Sequence, residues 1–146
     1  MSTKNSAHKT KNLSIFRLFL HCGIAGWCIE ILYTALNMLQ RREFQLKGTT
    51  SVWMFPIYGC AAFLRPLFRI THTLWLPFRG TLYALLIFSG EYLSGRLLNR
   101  ENLEPWDYSR CRFRIGPHIR LDFFPFWFLI GLFYEKFTQK DGFRSL

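Results

Sequence analysis

Four apolar stretches divide the chain, and basic segments separate them. The first and most apolar stretch covers residues 18–40 and contains a single formal charge, Glu30. About twenty apolar residues match the hydrocarbon thickness of a bilayer, because a helix rises about 1.5 Å per residue across roughly 30 Å. This stretch therefore predicts a membrane-spanning helix with one carboxyl group near its middle.

The remaining stretches are shorter and predict three further spans. They cover, in chain order, about residues 48–64, 80–95 and 121–137. The segments outside the spans are a basic polar tail at 1–14, a long loop at 96–120 and a polar tail at 138–146. We therefore predict an all-α integral membrane bundle of four transmembrane helices over residues 15–137. A soluble α-protein is the alternative, because three spans are shorter than ideal.

One face of the first predicted helix is small and polar. At helical spacing this face carries Gly23, Gly26, Glu30, Thr34 and Asn37. Small residues allow a second helix to approach closely, and polar groups can form hydrogen bonds across the contact. A charge at mid-membrane costs roughly 2.5–3.5 kcal/mol on insertion scales. We therefore expect Glu30 to face protein or water rather than lipid.

A weak internal repeat relates the two halves of the chain. Glu30 and Glu91 each lie 12 or 13 residues after the arginine that precedes their span, and the second and fourth spans contain Phe55-Pro56 and Phe124-Pro125. Two copies of a helix pair, related by an axis along the membrane normal, would explain these matches. Chance is the alternative explanation. On the repeat hypothesis the two carboxylates form an intramembrane polar pair at one depth, facing each other, with either a functional or a structural role.

The charge of the chain adds a candidate lipid surface. The net charge is +10, and the basic residues flank the apolar spans. This pattern favours anionic headgroups of the lipid bilayer as partners over nucleic acid. Arg110, Arg112 and Arg114 alternate in the long loop and are candidate ligands of a phosphate or lipid headgroup, with an ordinary solvated loop as the alternative. The basic residues divide ten to nine between the two sides, so the orientation is not predicted.

The sequence contains no recognisable pattern for catalysis or metal binding. The four cysteines include no CxxC pair and the four histidines lack ligand spacing, so we predict no metal and no cofactor. Asp107, Tyr108 and His118 form no recognisable nucleophile–base set, and we predict that the chain is not an enzyme. These 146 residues contain no Walker A loop. If ATP drives transport, the ATPase must be a separate chain.

Four groups of residues carry a family resemblance. They are Gly26-Trp27-x-x-Glu30, Thr50-Ser51-Val52-Trp53 with Pro56-x-Tyr58-Gly59, Glu91-x-x-x-Gly95, and Pro105-Trp106-Asp107-Tyr108-Ser109. Over about residues 19–137 the chain resembles the transmembrane protein 229 family, which is similar to bacterial proteins labelled ABC-transporter type IV membrane proteins. The resemblance implies a multi-pass membrane protein, and it implies transport only through that label. The arginine series after Ser109 is not part of the family pattern.

The sequence as a whole favours a small multi-pass membrane protein that is permease-like or transport-associated. Its location would be the cytoplasmic membrane if the chain is bacterial, and its substrate is not indicated. The alternative is a non-transporting membrane protein that binds anionic lipid or scaffolds partner proteins. A separate ATPase, another membrane subunit and a second copy of the chain are the protein partners that remain open.

Overall fold

A computed structural model describes the backbone of residues 2–103 and 106–143 and the side chains of residues 14–103 and 106–139. The described chain is mostly helical, which confirms the predicted all-α class. The helices are α1 (Ser2–Gln40), α2 (Met54–Gly59), α3 (Arg65–Thr71), α4 (Leu76–Arg100) and α5 (Phe124–Phe143). Two 3₁₀ turns occupy Cys60–Leu64 and Leu121–Phe123. A two-residue antiparallel ladder pairs β1 (Arg114–Ile115) with β2 (Ile119–Arg120).

Several element bounds differ from the predicted ones. The helix α1 continues back to Ser2, through the tail predicted at 1–14. The segment predicted as one span at 48–64 is not a single helix, because residues 48–53 precede α2 without helical structure. This segment combines Gly48 with Thr, Ser and Val residues that have low helix propensity. The third and fourth predicted spans lie largely within α4 and α5, which extend beyond them.

One helix in the described part of the chain is long and apolar enough to cross a membrane. It is the Ser14–Gln40 part of α1, which has 27 residues and a mean hydropathy of 1.6. In α4 the apolar run is interrupted by Glu91 and Arg96, and in α5 it ends at Glu135 and Lys136. The four-span arrangement therefore stays a prediction.

The chain divides into two compact units. Unit 1 comprises the residues up to Arg65 and the end of α5 from Thr138, and unit 2 comprises residues 66–137. In unit 1, α1 packs against α2 and the first 3₁₀ turn. In unit 2, the buried cluster of Ala84, Phe88 and Trp127 joins α4 to α5. Each unit is thus a long helix covered by a segment that follows it in the chain.

Glycine allows aromatic rings of α2 to lie directly on α1. A Cβ atom at Gly23 would come within 2.8 Å of the Phe55 ring, and a Cβ atom at Gly26 would collide with the Tyr58 ring. Both glycines belong to the small, polar face predicted for the first helix. The packing of α1 against α2 therefore depends on the missing side chains at these positions.

The helices α1 and α4 end with the same hydrogen-bonded cap. In each helix an N–H group donates to the carbonyl five residues earlier, and the preceding N–H group donates to the carbonyl three residues earlier, as in a Schellman motif. The bonds are Glu43 N–H to Met38 O (2.9 Å), Arg42 N–H to Leu39 O (3.0 Å), Leu103 N–H to Leu98 O (2.9 Å) and Asn102 N–H to Asn99 O (3.1 Å). The chain reverses at Arg42 after α1 and at Asn102 after α4, where the φ angles are 59° and 56°.

The close contact at Gly26 can be tested by adding one methyl group. Gly26→Ala should lower the free energy of unfolding by about 1–3 kcal/mol, because the Tyr58 ring must move. Thermal unfolding of the purified protein in detergent would measure the change. The control is Gly90→Ala in α4, where a Cβ atom meets nothing within 4 Å. That control should be neutral or stabilising by up to about 1 kcal/mol, and equal losses in both variants would contradict the close contact.

Candidate functional site

Glu30 lies between α1 and the segment that enters α2. Its side chain is half-buried, and the hydroxyl groups of Thr50 and Tyr58 donate hydrogen bonds to its carboxylate. The Oε2 atom of Glu30 is buried and has no hydrogen-bond partner among the described residues. The carboxylate therefore accepts from two neutral hydroxyls and keeps acceptor capacity, which a proton or a cation could use.

The segment before α2 is fixed to α1 by two side chains of that helix. The indole N–H of Trp27 donates to the carbonyl of Ser51 at 3.0 Å. The Thr34 hydroxyl accepts from the Thr49 N–H at 2.9 Å and lies 2.9 Å from the Thr49 carbonyl. These bonds satisfy backbone groups that have no helical partner. They also place Thr50, between the two fixed residues, at the Glu30 carboxylate.

The first two sequence motifs converge on this site. Gly26 and Gly59 provide the bare positions where aromatic rings lie between α1 and α2. Trp27 fixes the entering segment, and Tyr58 donates to the carboxylate. Pro56 lies in the first turn of α2, where a missing N–H is tolerated. Residues spread over 34 positions of the sequence thus build one contact between α1 and the segment that carries α2, and Glu30 lies in that contact.

Glu91 occupies a comparable position in unit 2. It is half-buried, and the indole N–H of Trp127 donates to its Oε2 atom at 3.1 Å. Trp127 itself is 6% exposed and belongs to the core cluster of this unit. Gly95, which lies one turn further along α4, is also buried. The Glu91 carboxylate is therefore held against α5 by one neutral donor.

The two carboxylate sites share a plan. In each unit the donor follows a Phe-Pro pair by two residues, giving Tyr58 in unit 1 and Trp127 in unit 2. The residue after each donor contacts the long helix of its unit through a glycine–phenylalanine pair. In unit 1 the glycine follows the donor and the phenylalanine lies on the long helix, and in unit 2 these positions are reversed. These contacts pair Phe19 with Gly59 and Gly80 with Phe128. Phe19 and Gly80 both lie 11 residues before the carboxylate of their helix.

A buried polar cluster in unit 2 was missed by the sequence analysis. Arg79 Nε lies 3.2 Å from Glu135 Oε2, and Glu135 is 3% exposed. Arg79 also donates to the His72 carbonyl at 2.6 Å, and the Tyr83 hydroxyl lies 2.5 Å from the Thr71 hydroxyl. In the sequence, Arg79 precedes the apolar stretch at 80–95 and Glu135 lies near the end of the stretch at 121–137, so each resembles an ordinary charge at the end of a span. They lie 56 residues apart, so no local spacing could pair them.

Trp106 and Tyr108 hold the turn that joins β1 to β2. The indole N–H of Trp106 donates to the His118 carbonyl at 3.3 Å, and the Tyr108 N–H donates to the Pro117 carbonyl at 2.8 Å. Gly116 in this turn has a φ of 63°, a conformation that glycine adopts at little cost. This part of the loop motif therefore positions a hairpin.

Asp107 organises the turn between these two aromatic residues. Its Oδ1 atom accepts from the Ser109 N–H at 2.8 Å, and its Oδ2 atom accepts from the Ser109 hydroxyl at 2.7 Å. These bonds, together with the smaller effect of the positive charges of Arg110 and Arg114, hold the pKa of the Asp107 carboxyl below its ordinary value. Pro105, the first residue of the motif, lies outside the described residues.

The three arginines predicted to bind phosphate lie on the exposed side of the same loop. Arg110, Arg112 and Arg114 are all exposed, and Arg114 is the first residue of β1. The Arg112 guanidinium lies 5.7 Å from the centre of the Phe113 ring. The structure thus brings the arginines together with the hairpin, in a different unit from Glu30.

These features define a mostly helical protein with one apolar helix of membrane-spanning length and a carboxyl group within each helix pair. Over residues 17–144 the chain matches the family described as "Putative ABC-transporter type IV", and it belongs to that family. This match confirms the resemblance to the bacterial family, while the resemblance to the transmembrane protein 229 family stays a prediction. No solved structure matches the chain. Family and apolar helix together indicate a membrane location and an ABC-transporter-related role.

The Asp107 turn makes a prediction about pH. Because the folded-state pKa of Asp107 is lowered, its bonds to Ser109 stabilise the turn above the ordinary carboxyl pKa, and this stabilisation is lost as the pH falls through the lowered value. Ser109→Ala should raise the pKa of Asp107 towards its ordinary value, and Arg110→Gln should raise it less. Carbon-13 NMR of the side-chain carboxyls, with only three aspartates in the sequence, would follow the titration. A larger shift in Arg110→Gln would show that charge, rather than hydrogen bonding, sets this pKa.

Proposed function

We propose that this chain is a four-span membrane protein that acts as a permease-like or transport-associated component. The spans would be about residues 18–40 within α1, residues 48–64, residues 80–95 within α4, and residues 121–137, most of which lie in α5. Membership of the family described as "Putative ABC-transporter type IV" supports the transport role. The apolar α1 supports the membrane location. No catalytic chemistry of its own is part of the proposal.

The observation that carries the proposal is the repeated carboxylate site. Two copies of a helix pair would account for the identical caps of α1 and α4, and for the Phe-Pro pair that places a donor at each carboxylate. Internal repeats are common in transporters, and their sites often lie near mid-membrane. Ionisable residues within spans are costly and are therefore candidates for function.

The partners of both carboxylates favour a role in proton or cation binding. Thr50, Tyr58 and Trp127 are neutral donors, so the hydrogen bonds they make do not neutralise the charge of Glu30 or Glu91. A carboxylate without a compensating cation attracts a proton or a metal cation. That the two carboxylates face each other stays a prediction from the sequence.

Energy for such transport would come from a separate subunit. The family description names an ABC transporter, a class driven by ATP, and the 146 residues contain no Walker A loop that would bind its phosphates. We therefore propose an ATPase, contributed by another chain, as the partner. Purification of the protein with its native partners, followed by mass spectrometry, should recover a protein with a Walker A motif, and its repeated absence would count against transport driven by ATP.

Substitution of the two glutamates should separate a functional role from a structural one. Glu30→Gln and Glu91→Gln should each abolish the transport-dependent ATP hydrolysis of the co-purified complex, with unfolding temperatures close to that of the unchanged protein. The amide keeps the size and most hydrogen bonding of the carboxylate. Retention of full hydrolysis in both variants would indicate a structural role. In that case Glu91→Leu should destabilise the protein by about 1–3 kcal/mol, because it leaves the buried Trp127 indole N–H without an acceptor.

A four-span chain should place both ends on the same side of the membrane. Cysteine replacements of Ser2 and Ser145, labelled from each side of intact vesicles, would test this. Labelling of the two ends from opposite sides within one molecule would rule out four spans. Equal populations of both same-side patterns would indicate dual orientation, which the balanced charge of the loops permits.

The alternative is a non-transporting membrane protein that binds anionic lipid or scaffolds other proteins. The specific observation in its favour is the ordered basic hairpin, whose arginines are exposed. A scaffold would tolerate the glutamate-to-glutamine changes. It would also retain its partners without an ATPase among them.

A further inference from the structure

The hairpin places apolar and cationic side chains side by side on an exposed edge. Phe113 is 61% exposed and Ile115 is 55% exposed. The Phe113 carbonyl accepts from the Leu121 N–H at 2.9 Å, so the ladder of β1 and β2 continues to this residue. Because side chains alternate along a strand, Phe113 and Ile115 share one face of the edge. Arg112 and Arg114, which are also exposed, belong to the opposite face.

The second strand attaches the hairpin to the core of unit 2, and its Ile119 is paired with Ile115 on the same face of the ladder. Ile119 of β2 packs against the core cluster of unit 2. His118 is 7% exposed, and its ring makes an edge-on contact with Tyr92 at 6.0 Å. The Tyr108 ring makes a similar contact with Phe123 at 5.8 Å. Phe113 and Ile115 therefore remain exposed on the outer strand of a hairpin whose other strand is packed on the core, and together they can form part of an interaction surface.

Charge indicates what covers this surface. Residues 106–120 contain four arginines and one aspartate, an excess of three positive charges. Arg120 is bound to Asp122 at 2.6 Å, whereas Arg110, Arg112 and Arg114 lie along the exposed edge. The planar guanidinium group matches phosphate oxygens with two parallel hydrogen bonds. Apolar side chains flanked by arginine are also the composition of segments that lie in a membrane interface.

The position of the hairpin in the chain favours a membrane over other anionic partners. The strand β2 ends at Arg120 and leads through Leu121–Phe123 directly into α5. In the four-span arrangement, α5 is the last span, so the hairpin lies where the chain enters the bilayer. Only residues 116–123 separate Ile115 from the start of α5 at Phe124.

We propose that the β1–β2 hairpin docks on an anionic lipid leaflet, with Phe113 and Ile115 inserted below the headgroups and Arg110, Arg112 and Arg114 bound to lipid phosphates. The inference rests on the proposed membrane arrangement and adds an interface to it. It also gives a role to the loop motif, since Trp106, Asp107 and Tyr108 are positioning residues that hold the hairpin in its docking orientation.

Spin labelling of the full chain can measure insertion directly. A nitroxide at Ile115→Cys would be placed in a background carrying Cys28→Ser, Cys60→Ser and Cys111→Ser, while Cys22 is fully buried and inaccessible to the label. The protein would be reconstituted in vesicles of phosphatidylcholine alone or with about a third phosphatidylglycerol. With anionic lipid, the label should collide more with oxygen, which concentrates in the bilayer, and less with a water-soluble nickel chelate.

The arginines are tested by a matched pair of triple variants. Each cation near an anionic surface changes partitioning about fivefold, so Arg110→Gln, Arg112→Gln and Arg114→Gln together should weaken docking on the order of a hundredfold and return the label to water. Arg41→Gln, Arg42→Gln and Lys47→Gln remove the same number of exposed cations from another loop, and should leave the label inserted. A second label at Glu101→Cys, on the exposed end of α4, should stay in water throughout and report any loss of fold.

Two outcomes would overturn the inference. Equal accessibility of the label at position 115 in both vesicle types would show that anionic lipid does not hold the hairpin. Shielding in both vesicle types, unchanged in the hairpin variant, would show that protein covers the surface instead. Failure of the four-span arrangement is distinguishable, because it would appear as labelling of the two chain ends from opposite sides.

Discussion

A carboxylate within a long apolar helix is the constraint around which each unit is built. Such a group is costly in lipid or in an apolar core unless a neighbour brings hydrogen-bond donors to it. Tyr58 and Thr50 provide them for Glu30, and Trp127 provides one for Glu91. A donor can reach the carboxylate only if its backbone comes close to the helix. Each unit therefore combines a carboxylate, an aromatic donor and a glycine that allows close approach. Together these residues determine how the covering segment packs on the long helix.

The features predicted correctly from sequence are those that depend on residues close together in the chain. The length and apolar character of α1 predict a helix, and the small face carrying Gly23 and Gly26 predicts a close neighbour. In the structure this face packs against α2 and the segment before it. The span predicted at 48–64 differs because an apolar run alone does not distinguish a helix from an extended segment. The hydrogen bonds that fix residues 49–51 come from Trp27 and Thr34, which lie on another element.

The features that the sequence analysis missed depend on contacts between distant residues. Arg79 and Glu135 form a buried ion pair in unit 2, although each looks like an ordinary charge at the end of a helix. The loop motif was recognised by its residue types, but its acceptors are the backbone carbonyls of Pro117 and His118. A carbonyl has no signature in the sequence, because every residue carries one. The role of the motif in positioning the hairpin thus emerges only from the fold.

The two carboxylate sites share a plan but differ in the chemistry of their donors. A hydroxyl group can donate or accept, so Tyr58 and Thr50 can remain bonded to Glu30 whether that carboxyl group is ionised or carries a proton. An indole N–H can only donate, so Trp127 always requires an accepting oxygen from Glu91. Protonation of Glu30 can therefore be accommodated by rotation of two hydroxyl groups, without movement of a helix. At Glu91 the partner is a buried ring in the core of unit 2, and any reorientation of the carboxyl group away from it would leave the indole N–H unsatisfied. Within the proposed repeat, Glu30 can thus take up a proton with its two donors rotating freely, whereas Glu91 can do so only while one of its oxygens still accepts from Trp127.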